Sequence, residues 1–425
     1  MRQLTIALLC AAPLFSQPVT VDGDWVAVTS FFDMKDYNRL TLHQQGSEIT
    51  GAAGNLKLTG AIHGRDIEME GKDERGATAS FKGVVANGEI IGDATWRGNP
   101  QKFRAYRPSA RPADEPRRRK FEPTEFQRYF SGAIAPVLHI YPGDTVETWS
   151  VDAGGFDPKN VRRSLGGNPE TGPFYIEGAL PGDTLAVKFS RIRLNRDTAI
   201  SSGRIAASAL NPNYLANLKH PEKYDSNWKL DREKGIGRLA NPTGKLKNYT
   251  VPLHPMLGCV GVAPPGKMVY LSGFLGPFGG NMDYNKIREG VTVYLPVFEP
   301  GALLFMGDGH AAQGDGELTG NALETSMDIE FTVDLILNKS TPGPRAEDDE
   351  YLMAMGIGGS LNDALQGSTT NLSRWLEQDY GLDPSEIASV LGTGMQYDIA
   401  EVVDPYVNIV AKIRKGALAS LPKVK

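Results

Sequence analysis

Apolar and polar positions alternate with a period of two through most of this chain. Between residues 18 and 106 the alternation comes in short runs broken by glycine: Asp24–Phe31, Leu40–Gln45, Ile49–Ala53, Leu56–Ile62, Ile67–Gly71, Ala77–Val85 and Ile90–Trp96. Alternation puts every second side chain on one face, the pattern of a half-buried strand. The dipeptide Asn87-Gly88 between two runs predicts a tight hairpin, because both residues tolerate positive φ. Strands at this spacing predict a small antiparallel β meander or barrel over residues 18–106.

The pattern then changes. Residues 107–120, RPSARPADEPRRRK, carry no apolar face and are expected to be a linker. From 121 to 340 strand patterns return. Two units of strand, Pro-Gly-Asp-Thr turn and strand stand about forty residues apart, at Leu138–Thr148 and Phe174–Phe189, and predict a β-rich core with paired halves. The stretch 200–250 is polar and punctuated by Asn-Pro turns, an excursion over the surface. Past residue 341 the period lengthens. Ala364, Leu365, Leu372, Trp375 and Leu376 recur at helical spacing within Asn362–Tyr380, and Asp383-Pro384-Ser385-Glu386 is a helix start. Residues 341–425 are expected to form a helical cap on the same domain, so the fold class is mainly β with a helical C-terminus.

The first residues, MRQLTIALLCAAPLFSQ, combine Arg2, the apolar run Leu4–Leu14 and Ser16. They are expected to be a signal peptide over residues 1–17, and the mature protein to be secreted or periplasmic. The run is too short for a membrane span. Of the two cysteines, Cys10 and Cys259, only the second would survive cleavage, so neither a disulfide nor a cysteine zinc site is expected. Cys259 sits in an apolar run and is expected in the core. A formal net charge of -5 argues against general nucleic-acid binding.

Candidate chemistry concentrates in Gly307–Glu317, GDGHAAQGDGE, which follows the apolar run Leu303–Met306. Asp308, His310, Asp315 and Glu317 are groups that bind a divalent metal or move a proton. The glycines beside both aspartates allow a sharp turn, although Asp and Gly are also ordinary turn residues. Glu177, in an apolar strand, is a second acid or base candidate, and an outward-facing strand residue on the alternative reading. No Gly-x-Ser-x-Gly elbow points to a serine nucleophile.

The segments HPMLGCVGVAPP, GPFGGNMD, LPVFEPGALLFMGDGHAAQGDGELTGNALE, GPFYIEGALPGDTL and WLEQDYGLDPSEIASVL together resemble the acetamidase/formamidase family over residues 125–415. The resemblance implies a β-rich fold, a homo-oligomer, a divalent metal, and hydrolysis of a short amide to a carboxylate and ammonia. Zinc is the foremost metal, with calcium or magnesium as alternatives. It implies a metal site drawn from Asp152, Asp283, Asp308, His310 and Asp315, with Glu177, Glu317 and His310 in proton transfer. Many relatives carry His-Trp where this chain has Phe126-Gln127, so one expected imidazole is missing. That departure leaves a second reading, a non-catalytic amidase-like binding protein whose N-terminal domain binds a ligand or a surface.

Overall fold

The computed structural model describes residues 19–112, 116–219 and 224–424. The expected signal peptide lies outside these residues. The chain divides into two compact units, Met1–Ala110 and Arg111–Lys425.

The first unit is a closed antiparallel barrel of eight strands. They run β1 (Gly23–Phe31), β2 (Met34–Gln45), β3 (Glu48–Ala53), β4 (Leu56–His63), β5 (Asp66–Lys72), β6 (Thr78–Ala86), β7 (Glu89–Trp96) and β8 (Asn99–Tyr106). Seven match the alternating runs. The eighth, NPQKFRAY, has only Phe103 and Ala105 buried and shows little alternation. It closes the barrel by pairing Val26–Ser30 of β1 with Lys102–Tyr106, which leaves no open edge. Asn87 and Gly88 both take positive φ, 52° and 79°, as the hairpin requires. Gly60 and Gly92 lie so close to the neighbouring strand's carbonyls that a Cβ would collide with Glu68 O and Lys82 O. Glycines in strand interiors of this kind permit tight barrel curvature.

The second unit is built on two large sheets that share one core. The smaller has six strands in the order Leu138–Ile140, Thr171–Ile176, Leu304–His310, Met256–Gly261, Gly279–Asn281 and Leu275–Gly276. The larger has nine: Met395–Glu401, Val407–Arg414, Tyr351–Gly358, Arg345–Glu347, Thr292–Pro296, Thr184–Leu194, Met327–Ile336, Thr145–Ser150 and Arg118–Lys120. Phe174, Leu257, Leu304 and Phe305 from the first meet Val187, Phe189, Val293 and Phe331 from the second in the buried cluster. Both Pro-Gly-Asp turns close alike. Asp144 N–H bonds Tyr141 O and Asp183 N–H bonds Leu180 O, while each carboxylate accepts the backbone N–H at its own turn's start. Gly143 and Gly182 supply the positive φ at 87° and 96°.

Three boundaries differ from the sequence reading. Arg118–Lys120, placed in the linker, forms an edge strand parallel to Thr145–Glu147, and Arg111 is ion-paired to the buried Asp144 at 2.9 Å. Charge concealed this strand: Arg118 pairs with Glu147 and Glu330 across the sheet, and Lys120 with Glu122. The excursion after residue 200 contributes to a small sheet of Thr198–Ile200, Asn227–Asp231, Ile236–Leu239 and Val251–Pro252. Residues 341–425 hold two helices, Leu361–Tyr380 and Pro384–Gly394, but also four strands that extend the nine-stranded sheet. The first helix docks where Gly356 bares the strand, since a Cβ there would strike Ala364 O and Ser368 N. The second begins with a capping box between Asp383 and Glu386.

Candidate active site

The site forms where the central strand Leu304–His310 meets its neighbour Met256–Gly261, with Met256 opposite His310 and Cys259 opposite Gly307. Both strands are wholly buried, so the acids they carry lie out of water. Asp308 and His310 stand on the same face, two residues apart. Gly258 on the adjacent strand faces them. A Cβ there would stand 2.7 Å from Asp308 Oδ2 and 3.0 Å from His310 Cε1, and closer still to Asp283 Oδ1. Only a bare backbone admits these three groups together.

Two loops complete the cluster. Asp283 follows the strand Gly279–Asn281, and its N–H bonds Gly258 O at 3.0 Å. Glu324 precedes the long strand Met327–Ile336. It is fixed by exchanging backbone hydrogen bonds with Ile200 at 2.8 and 3.1 Å. His310 Nε2 lies 3.2 Å from Glu324 Oε2 and 3.4 Å from Asp308 Oδ2. Its Nδ1 is 2.8 Å from Gln313 Oε1. The Gln313 amide in turn donates to Asp283 O at 2.6 Å and Ala400 O at 3.3 Å. Gln313 therefore accepts from Nδ1–H and leaves Nε2 directed at the carboxylates. Glu317 joins Asp283 and His310 in one group of donor atoms, and Asp308, His310 and Glu324 form another.

An amide relay lies outside the acids. Asn281 Nδ2 donates to Asp283 Oδ2 at 2.5 Å and to Asp404 Oδ2 at 2.7 Å. Asn168 Nδ2 donates to Asn281 Oδ1 at 2.8 Å and to Asp308 Oδ2 at 3.1 Å. Asp404 reaches the site because Gly316 N–H bonds the carbonyls of Ile399 and Ala400, tying the C-terminal strand to the central loop. A cavity of ≈ 250 Å³ opens beside the cluster, lined in part by Arg128, Asn168, Phe274, Asp308, Glu317 and Glu324.

Burial sets the protonation of these groups. It raises Asp283 well above the usual carboxylate range, with Glu317 and Asp308 adding to the effect. It raises Glu317 to about 9 against the pull of His310, and Glu324 to about 7. Asp404 is pushed by burial to about 6, with the Asn281 bond opposing. Burial alone would lower His310, but the Glu324 and Asp308 carboxylates overrule it and hold the imidazole well above its ordinary value. Four carboxyl groups thus surround one imidazole in a space that favours added positive charge. Strain accompanies the clustering. Asp283, Asp308 and Glu317 all take left-handed backbone, with φ of 43°, 52° and 43°, a conformation costing on the order of 1–3 kcal/mol at each non-glycine residue.

The residues singled out from the sequence separate into two groups. Asp283, Asp308, His310 and Glu317 come together. Asp152, Asp315 and Glu177 do not. Asp152 is buried in an ion pair with Arg196 and also accepts Phe156 N–H at 2.9 Å. Its neighbour in space comes from 44 residues away in the chain, beyond what local pattern reveals. Asp315 is exposed and accepts from Asn285 at 2.7 Å. Glu177 meets His139 Nδ1 at 2.7 Å, where the imidazole lies half in solvent. Phe126 packs on Trp149 with ring centroids 5.5 Å apart, and Gln127 pairs through its backbone with Glu170. Burial and the nearby Asp308 raise the Glu170 carboxyl. Burial likewise raises the Cys259 thiol, with Glu170 adding to it, which removes it as a nucleophile. Glu324, Asp404, Asn168, Asn281 and Gln313 were not anticipated. Glu324 had one local signal, an acid closing the string that begins at Gly307.

Fold and cluster together define a β-sandwich protein with a buried acid–imidazole centre beside a small cavity. Residues 277–353 match the Acetamidase/Formamidase family. The structure is similar to the acetamidase of Yersinia enterocolitica, with a TM-score of 0.62 and 29% identity, covering 72% of this chain and 95% of that one. It is similar also to an acetamidase of Bacillus halodurans, with a TM-score of 0.60 and 26% identity over 71% and 99% of the two chains. A stretch of 59 residues is 44% identical to the acetamidase of Mycolicibacterium smegmatis and spans 14% of either chain. The family match thus falls on residues 277–353 of the second unit, and the fold of that unit is similar to those of solved acetamidases.

Proposed function

We propose that this protein hydrolyses the C–N bond of a short linear amide, yielding a carboxylate and ammonia. One observation carries the reading. Asp283 Oδ1 and Asp308 Oδ1 are buried with no hydrogen-bond partner, and His310 Nε2 and Glu324 Oε2, also buried, face each other at 3.2 Å without the geometry of a hydrogen bond. Buried groups are normally satisfied, so this convergence argues for a missing positive centre. One imidazole nitrogen with carboxylate oxygens is a donor set that suits zinc or a harder divalent ion. Asp308, His310 and Glu324 would hold it, with Asp283 in support. Such an ion would supply Lewis acidity, polarising the amide carbonyl and acidifying water.

The chain's own groups account for the rest. Asp404, at the cavity wall and pushed by burial to about 6, is matched to accept a proton from the attacking water near neutral pH. Glu317, kept protonated to about 9, is matched to deliver one to the departing nitrogen. The carboxamides of Asn168 and Asn281 hold the acids in register, as their paired bonds indicate. Arg128 at the cavity wall suits the carbonyl oxygen and the product carboxylate. The cavity's size favours a small acyl group over a peptide. The non-catalytic alternative is harder to reconcile with four buried acids kept at a cost in stability.

The test is ammonia release from formamide, acetamide and longer primary amides by metal-replete protein, beside the variant Asp308→Ala/His310→Ala. Release by the parent and background release by the variant are expected. No release from parent of confirmed metal content would overturn the reading.

A further inference from the structure

We propose that the N-terminal barrel is a binding site in its own right, taking one small molecule with an apolar body and a polar end. Nothing in the amide chemistry requires this unit. An eight-stranded barrel has an interior that side chains can fill completely or that can hold one small ligand. Here the two ends of the barrel differ, and the difference is written in residue size.

One end is filled. Leu42, Ile49, Ile62, Ile67 and Ile90, all buried, pack the interior beside the turns joining β2 to β3, β4 to β5 and β6 to β7. Trp25 closes that end. Its indole N–H bonds Val21 O at 2.8 Å, and the Arg107 guanidinium lies 3.8 Å from its ring centre. At the other end four inward positions are alanines, Ala27, Ala53, Ala79 and Ala94, beside the larger Phe31 and Trp96. They leave a cavity of ≈ 500 Å³ reaching down to Leu56 and Phe81, within the range of ligand pockets.

The mouth is defined as well. Phe31 and Met34, on either side of the turn joining β1 to β2, line the mouth and are 41% and 76% exposed. Exposed apolar residues at the rim of an apolar hollow mark an entry for apolar material. Polar side chains stand in the wall as well: Gln101 opposite Ala94, Asn38 donating to Asp36 Oδ2 at 3.2 Å, and the charged Lys35 and Asp73. They can bond the polar end of a ligand whose body lies against the alanines. The closed strand ladder leaves no edge for a peptide to pair with. A small amphiphile fits these features where an extended chain does not.

The full-length protein is titrated with anilinonaphthalenesulfonate, followed by fluorescence, and the bound probe is then displaced with dodecanoate. Ala53→Leu and Ala94→Leu each add apolar volume to the hollow. Ala53, being half-buried, tolerates the longer side chain without disturbing the strand. Saturable binding that dodecanoate competes for is expected, weakened roughly tenfold or more in each variant that retains the parent's unfolding transition. Absence of saturable binding overturns the proposal. So does binding that Ala53→Leu leaves unchanged, since the probe would then sit elsewhere.

Discussion

Gly258 decides whether the buried acids can share one space. It carries no side chain, yet three groups of the site converge on the point where its Cβ would stand. Its place in the buried strand Met256–Gly261 means the backbone cannot retreat. Gly258→Ala should therefore push Asp283 and Asp308 apart and lower amide turnover by about a hundredfold or more, the scale on which misplaced catalytic groups cost activity. Bound metal, measured by elemental analysis, should fall in parallel. A fully active, metal-replete Ala variant would show that the acids do not act as one cluster. The same residue shows what was legible beforehand. The Gly-Asp-Gly-His string was visible because the glycines, acid and imidazole are neighbours in sequence. Gly258 was only one glycine in LGCVG, because its role comes from the strand beside it.

At the scale of elements, the sequence pattern located strands and helices well where burial alternates and poorly where pairing decides. The barrel runs and both C-terminal helices were readable from local period alone. The strand Met395–Glu401 was absorbed into an expected cap, because Tyr397 and Ile399 are outward-facing and exposed. That strand positions Glu401 against Gly316 in the loop that follows His310. Its Oε2 accepts the N–H groups of Val403 and Asp404 at 3.0 and 3.1 Å, while Oε1 is buried without a partner. Burial, with the Asp404 charge adding, raises it to about 8. A carboxyl raised on folding contributes full stability below its unfolded value near 4.5 and loses it as pH rises through about 8. Glu401→Gln keeps the acceptor for both N–H groups and removes the charge. Relative to the parent, the variant should gain stability across this window, by at most about 1.4 kcal/mol per pH unit. Denaturant midpoints at pH 5 and pH 8.5 test it. An equal difference between variant and parent at both values would mean that Glu401 is already ionised in the fold at low pH.

The whole molecule joins a barrel with its own buried core to a larger sandwich with another. Their stabilities answer to different forces. The barrel rests on aliphatic packing around a closed ladder and holds no buried acid cluster among its described residues. The sandwich carries four carboxyl groups around His310, a charge balance that a cation would relieve. Binding to the folded state alone stabilises by mass action, about 4 kcal/mol when free ligand stands a thousandfold above its dissociation constant. For a unit of this size that corresponds to a rise in Tm of roughly 6 °C. Calorimetry of the protein before and after a chelator should therefore lower the transition of the larger unit and leave that of the barrel in place. Restoring zinc should restore the lost degrees, and the Asp308→Ala/His310→Ala variant should not respond to either treatment. If the barrel transition moved instead, the ion would be bound there and the acid cluster would be a purely polar core. If neither moved, the unpartnered atoms around His310 would have to be satisfied by protons and water alone.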